Sequence, residues 1–181
     1  IAFQEFASEI DAAVRARDTA FFMDRLVLSP ITCTERDVSG QVGGPTCDYV
    51  GQEFGGVSVG FAGSEGAVVS AERAEEYFRR VLVDSVNDAS DEFGSGVPSL
   101  YALDLGAGRT TDGRSRIGAF SPALCERPDD FYGSGPLRRV VASYWSLEDD
   151  EWRITRLLIG FQADDLLNQG EYYSNFVRYQ P

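Results

Sequence analysis

Histidine is absent from this 181-residue chain, and so is lysine. Without imidazole, no Ser-His-Asp or Cys-His catalytic arrangement can be built, nor a zinc site with histidine ligands. Without an ε-amine there is no Schiff-base chemistry and no phosphate-binding lysine of a P-loop. All 16 basic residues are arginine, and Gly, Ala and Asp are abundant, a composition that a GC-rich coding bias explains without any functional cause. The three cysteines, Cys33, Cys47 and Cys125, form no CxxC element. A thiolate metal site therefore has no support, and the expectation is a protein with no metal and no cofactor. Long apolar runs are missing too: none approaches the roughly eighteen residues that cross a bilayer, so membrane insertion is not expected. Basic charge is scarce, 16 residues against 29 acidic ones, which leaves a formal charge of −13 and a pI near 4.3. Such a surface repels phosphate backbones and anionic headgroups, and nucleic acid is not an expected partner.

What is present suffices for a core. Apolar residues make up 43% of the chain and aromatic residues 12%, which predicts one folded α+β domain spanning residues 1–181. Cys33 and Cys47 flank a Gly- and Pro-containing stretch with neither helical nor alternating pattern. A disulfide closing it would stabilise the fold by roughly 3 kcal/mol on the loop-entropy model. Cys125 can replace either partner. Position 1 is Ile rather than Met, which implies a removed start, by signal-peptide cleavage or by trimming. With the disulfide, this gives an extracytoplasmic or secreted location as the expectation.

Residues 2–17 place Phe3, Phe6, Ala7, Ile10, Ala13 and Val14 on one face of an amphipathic helix, with Gln4, Glu5, Ser8, Glu9, Asp11 and Arg15 on the other. Asp18 reads as the N-cap of a shorter second helix holding Phe21, Phe22 and Leu26. The stretch from Pro30 to about Gly56 reads as a long polar loop in need of a staple. Val57–Phe61 and Ala67–Val69 are short strands joined by a turn, and Ser70 caps a third helix over about 71–87 with Ala74, Tyr77, Phe78, Val81 and Leu82 inward. Strands follow at Ser99–Leu105, Arg114–Phe120, Arg138–Leu147 and Glu151–Gly160, with a second irregular loop over 121–137 and a short helix at Ala163–Asn168. The Gly106-Ala-Gly108 stretch reads as a hairpin turn rather than a dinucleotide loop. The acidic clusters Asp129-Asp130, Glu148–Glu151 and Asp164-Asp165 lack EF-hand spacing and read as solvated turns.

The final hairpin carries most of the functional expectation. With a tight turn at Asp149-Asp150, one face pairs Leu147 with Trp152, Trp145 with Ile154, Ser143 with Arg156 and Val141 with Leu158. That register buries Arg156 among apolar residues, where an unpaired charge is expensive. Either a carboxylate or solvent answers the guanidinium, or Arg156 and Ser143 line a cavity and meet an anionic or carbonyl group of a ligand. Tyr101 reads as a core tyrosine or a pocket residue, and Trp145 and Trp152 as core residues that can double as a ligand platform. The candidate ligand-binding set is Arg156, Ser143, Tyr101 and Trp145.

Two N-terminal helices (FQEFASEIDAAVRARDTAFFMDRL over Phe3–Leu26), a third helix over Ser70–Val83 and the Trp-bearing hairpin over Val140–Gly160 resemble the nuclear transport factor 2-like superfamily. The resemblance implies a curved antiparallel sheet wrapped by three helices into a cone with an inner pocket. Its members include cofactor-free isomerases, dehydratases, cyclases and epoxide hydrolases, and also non-catalytic binding or dimerising domains. A His-Asp dehydratase pair is impossible in this chain, and no catalytic residue is carried over by position.

Three readings follow. The first is a non-enzymatic extracytoplasmic domain that binds a small molecule in the cone or presents its sheet face to a partner, a second copy included. The second is a cofactor-independent lyase, isomerase or hydrolase that uses a buried carboxylate with Arg156. The third is a structural oligomerisation module, which would require an exposed apolar sheet face.

Overall fold

The computed structural model describes residues 3–40, 43–61, 66–83, 99–104, 116–121, 139–162 and 176–178. In chain order the elements are α1 (Phe3–Ala16), α2 (Thr19–Met23), β1 (Ser29–Thr32), α3 (Glu35–Val38), β2 (Glu53–Phe61), β3 (Ala67–Ser70), α4 (Ala71–Leu82), β4 (Ser99–Asp104), β5 (Arg116–Ser121), β6 (Arg139–Glu148), β7 (Glu151–Gln162) and β8 (Phe176–Arg178). The strands form one curved, unclosed sheet in the order β1-β2-β7-β6-β5-β4-β8, with β3 paired to β2. All pairs are antiparallel except β2 with β7, which run parallel over Ser58–Phe61 and Arg156–Ile159. The α+β class and the helices packed on a curved sheet are as expected; the single parallel pair makes the sheet mixed.

Local chemistry explains the helix boundaries. The Asp18 carboxylate accepts from the backbone N–H of Phe21 at 3.1 Å, which satisfies an amide that the start of α2 leaves open. Ser70 does the same for α4, its hydroxyl oxygen accepting from the Arg73 N–H at 3.4 Å. The inward stripe of α1 is buried at Phe6, Ala7, Ile10, Ala13 and Val14, and that of α4 at Ala74, Phe78 and Leu82. Phe22 lies between the two stripes, stacked on Phe78 with ring centroids 5.0 Å apart. These helices cover the inner face of the sheet, where Val57, Val59, Trp145, Trp152, Ile154 and Leu157 complete one core.

The 30–56 stretch is more ordered than a loop. It contains β1, α3 and the first residues of β2, and Ser29↔Gly56 through Thr32↔Glu53 are in antiparallel register. A four-residue strand exposed at three of its positions carries no alternating apolar signal, so the period-2 pattern has nothing to report. The Cys33–Cys47 disulfide is present, with the Cα atoms 6.0 Å apart. Just before Cys47 the chain runs beside β3: the Thr46 N–H donates to the Val68 carbonyl at 3.0 Å and the Val68 N–H to the Gly44 carbonyl at 3.0 Å. The closed loop is thereby fixed against the sheet at both ends.

The β6–β7 hairpin turns at Asp149 and Asp150, whose φ values of 49° and 65° lie in the left-handed region that such a two-residue turn requires. Leu147↔Trp152 and Trp145↔Ile154 pair as expected. The register then shifts, so that Tyr144 meets Arg156 and Ser143 meets Leu157, and it shifts again between Val140 and Val141. Thr155 and Gly160 are the extra residues on β7, each a bulge that bends the strand and increases its twist. The facing of Arg156, Leu157 and Leu158 follows from the first of them.

Candidate functional site

The first bulge moves Arg156 to the outer face. The expected pairs Ser143 with Arg156 and Val141 with Leu158 are replaced by Ser143↔Leu157 and Val141↔Ile159, because one inserted residue inverts all facings after it. Leu157 is buried in the core, and Arg156 is exposed on the opposite side. Its guanidinium carbon lies 5.9 Å from the centre of the Tyr144 ring. It also passes over Gly60, where a Cβ would come within 3.1 Å of its terminal nitrogen. At a solvated position such a contact contributes about 0.5 kcal/mol. Arg156→Ala is therefore expected to leave the unfolding free energy within about 0.5 kcal/mol of the parent in urea titrations. A loss of several kcal/mol would mean that the guanidinium answers a buried charge after all.

Ser143 and Trp145 do not join it. Ser143 is fully buried on the inner face, and its hydroxyl oxygen accepts from the Trp145 indole N–H at 2.7 Å. Trp145 is equally buried, with Phe6 edge-on at 5.2 Å and Phe22 at 6.4 Å. On this face Phe6 of α1 and Phe22 of α2 are the rings that pack nearest to Trp145 among the described residues. The Tyr101 side chain lies outside the described residues, as do Cys125, the Gly106-Ala-Gly108 stretch, the Asp129-Asp130 and Asp164-Asp165 clusters and the 163–168 segment. The large exposed apolar side chains among the described residues are Leu28, Val38, Tyr49 and Val50, none of them on β6 or β7.

Asp11 is a buried carboxylate that the helical pattern assigns to the solvated face of α1. It is 7% exposed, and its two oxygens accept from the Leu100 backbone N–H at 3.3 Å and from Arg15 Nε at 2.8 Å. It ties α1 to β4, on the side of the sheet away from Arg156. The buried acid and the arginine of the enzymatic reading are thus not brought together.

Three clefts are lined by described residues. The smallest, about 230 Å³, runs along the closed loop beside Gly66 and Ala67; one of about 380 Å³ lies between α1, the end of α2 and the hairpin turn. Its guanidinium groups hold structure: Arg25 donates to the Phe21 carbonyl at 3.0 Å and stacks 3.8 Å over the Phe21 ring. Arg153 donates to the Asp24 carbonyl at 2.8 Å and pairs with Glu151. The largest of the three, about 540 Å³, is walled by the end of the disulfide-closed loop, the start of β2, β3 and the first turns of α4. Phe54, Ala67, Val69 and Tyr77 supply its apolar surface, while Asp48, Gln52, Ser70, Glu72 and Arg73 supply its polar groups. Gln52 is held by the Asp48 N–H, which donates to its Oε1 at 2.7 Å. Arg73 donates to Glu76 at 2.6 Å, and hydrogen bonding to Tyr77 first, then the charge of Glu76, keeps its guanidinium protonated beyond its ordinary range. Hydrogen bonding to Ser70 first, then to its own backbone, holds the Glu72 carboxylate below the usual glutamate value. Among the described residues no cluster of three or more Asp, Glu or Cys side chains can hold a metal ion. No helix among them is long and apolar enough to cross a membrane.

No family model matches the chain, and no curated protein matches it. Three solved structures are similar to it. One, designated Rd1NTF2_05 and bearing five substitutions, is 11% identical over 87% of this chain and 95% of its own, with a TM-score of 0.42. An NTF-2 like protein of unknown function from Shewanella oneidensis MR-1 is 10% identical over 82% and 87%, with a TM-score of 0.36. A chain from Xanthomonas campestris, named for the association domain of calcium/calmodulin dependent protein kinase II, is 12% identical over 84% and 81%, with a TM-score of 0.34. The likeness is one of fold.

Proposed function

We propose that this chain is a small-molecule-binding domain of an oxidising, extracytoplasmic compartment, and that its ligand lies in the larger cleft rather than in the cone. The observation that carries the reading is the covalent closure of the loop that forms one wall: Cys33 and Cys47 are bonded, and Thr46, next to Cys47, lines the cleft. A loop ordered before the ligand arrives loses little conformational entropy on binding. The cleft also has the size and the mixture of aromatic surface with a few directed polar groups that small-molecule sites require. A persistent disulfide suits an oxidising compartment.

The reading is tested on the oxidised protein with a set of phenyl-bearing fragments, followed by amide shifts in NMR spectra. Shifts clustered at Asp48, Gln52, Phe54, Ser70, Glu72 and Tyr77, and lost after reduction by dithiothreitol, are the expected result. Fragments that perturb other amides, or bind equally well to the reduced protein, would remove the cleft from the reading. Mass analysis of thiol alkylation without reductant is expected to leave Cys33 and Cys47 unmodified.

A further inference from the structure

The geometry points to an organic cation as the occupant of the larger cleft: an ammonium or quaternary ammonium group carried on a flat apolar body. The inference rests on the binding reading above and names the ligand class of the same site. Two features of the cleft would ordinarily select an anion, the N-terminus of α4 and the Arg73 guanidinium. Both are already answered by the chain's own carboxylates. Ser70 takes the Arg73 amide at 3.4 Å, and Glu72 stands in the first turn of α4, where its charge offsets part of the helix dipole. Glu76 takes the Arg73 guanidinium at 2.6 Å and also pairs with Arg80 at 2.9 Å.

The charge that remains is negative. Asp48 on the loop side and Glu72 on the helix side both line the cleft, and both are exposed. The bonds that Glu72 receives favour its ionised form. Between them lie Phe54 and Tyr77, and the Tyr77 ring already has a guanidinium carbon 5.7 Å from its centre. An aromatic face beside carboxylates is the ordinary recognition chemistry of ammonium groups. The field of the whole chain, with a formal charge of −13, concentrates cations at its surface and depletes anions.

The test uses three probes that share a phenyl ring and a short chain and differ in charge: phenethylamine, 2-phenylethanol and 3-phenylpropanoate. Each is titrated into the oxidised full chain at pH 7, and binding is read from the amides of Glu72 and Tyr77. Phenethylamine is expected to bind about tenfold more tightly than the carboxylate, a difference of ~1.4 kcal/mol. Glu72→Gln is expected to weaken the amine about fivefold, in the range of an exposed charge pair, and to leave 2-phenylethanol unchanged. Arg73→Gln is expected to tighten it by removing a like charge from the wall of the cleft. If the alcohol or the carboxylate binds at the cleft as tightly as the amine, the cation assignment is overturned and the cleft remains a binding site. If none of the three moves the cleft amides, both the assignment and the reading beneath it fail.

Discussion

Replacing Cys33 and Cys47 together by serine is expected to lower the unfolding free energy by about 3 kcal/mol, the loop-closure value for some fifteen residues. For a domain of this size that corresponds to a fall in Tm of roughly 6–12 °C. The two cysteines are 14 positions apart, and the loop between them carries α3, a single helical turn. That turn is held at its start by Asp37, whose carboxylate accepts from the Thr34 N–H at 2.8 Å and from its hydroxyl at 2.7 Å. The bond restricts the denatured chain, a constraint that the native contacts of the loop do not supply once the protein has unfolded. The check is paired urea titrations of the parent and the double variant, both without reductant. A loss under 1 kcal/mol would show that the backbone bonds from Gly44 and Thr46 to Val68 hold the loop unaided.

Trp145→Ala is expected to cost about 3–5 kcal/mol, the range for removing a large aromatic side chain from a packed core. Trp145 touches α1 through Phe6 and α2 through Phe22, and Phe22 stacks on Phe78 of α4. One truncation therefore loosens three helices at once. Ser143→Ala separates the polar part of this effect from the packing part. It leaves the buried indole N–H without the acceptor at 2.7 Å and is expected to cost about 1–3 kcal/mol, the penalty of an unsatisfied buried donor. Chemical denaturation followed by far-UV circular dichroism checks both. If Ser143→Ala matched the parent, a water would have to be replacing the hydroxyl; if Trp145→Ala did, the aromatic cluster would not be the structural centre.

Legibility in the sequence divided along the range of the forces involved. Asp18 and Ser70 cap helices by bonding three residues ahead, and the stripes of α1 and α4 repeat every three or four residues, so all of these are written locally. The hairpin turn is legible for the same reason. Asp11 was not: it sits between Ile10 and Ala12 on a face that otherwise reads as polar, and only β4, with the Leu100 amide 89 residues away, makes it a buried acceptor. The larger cleft was equally hidden, since its walls come from residues 46 to 77 and meet only when the closed loop docks on β3. A signal existed in the Ser70-Ala71-Glu72 start of α4, but it reads as helix capping whether or not a cleft adjoins it.

Arg156 marks the boundary most sharply. Composition alone excluded histidine, lysine and P-loop chemistry. Periodicity established the helices and the hairpin, and cysteine spacing the staple, because each depends on neighbours a few positions away or on residue types simply being present. Which face Arg156 occupies depended on the bulge at Thr155. A bulge is a compromise between two strands and the curvature imposed by what packs beneath them, so it exists only once Trp145, Ile154 and Leu157 have settled against α1 and α2. Tertiary packing turned that arginine outward and set the cleft of about 540 Å³ beside the disulfide-closed loop.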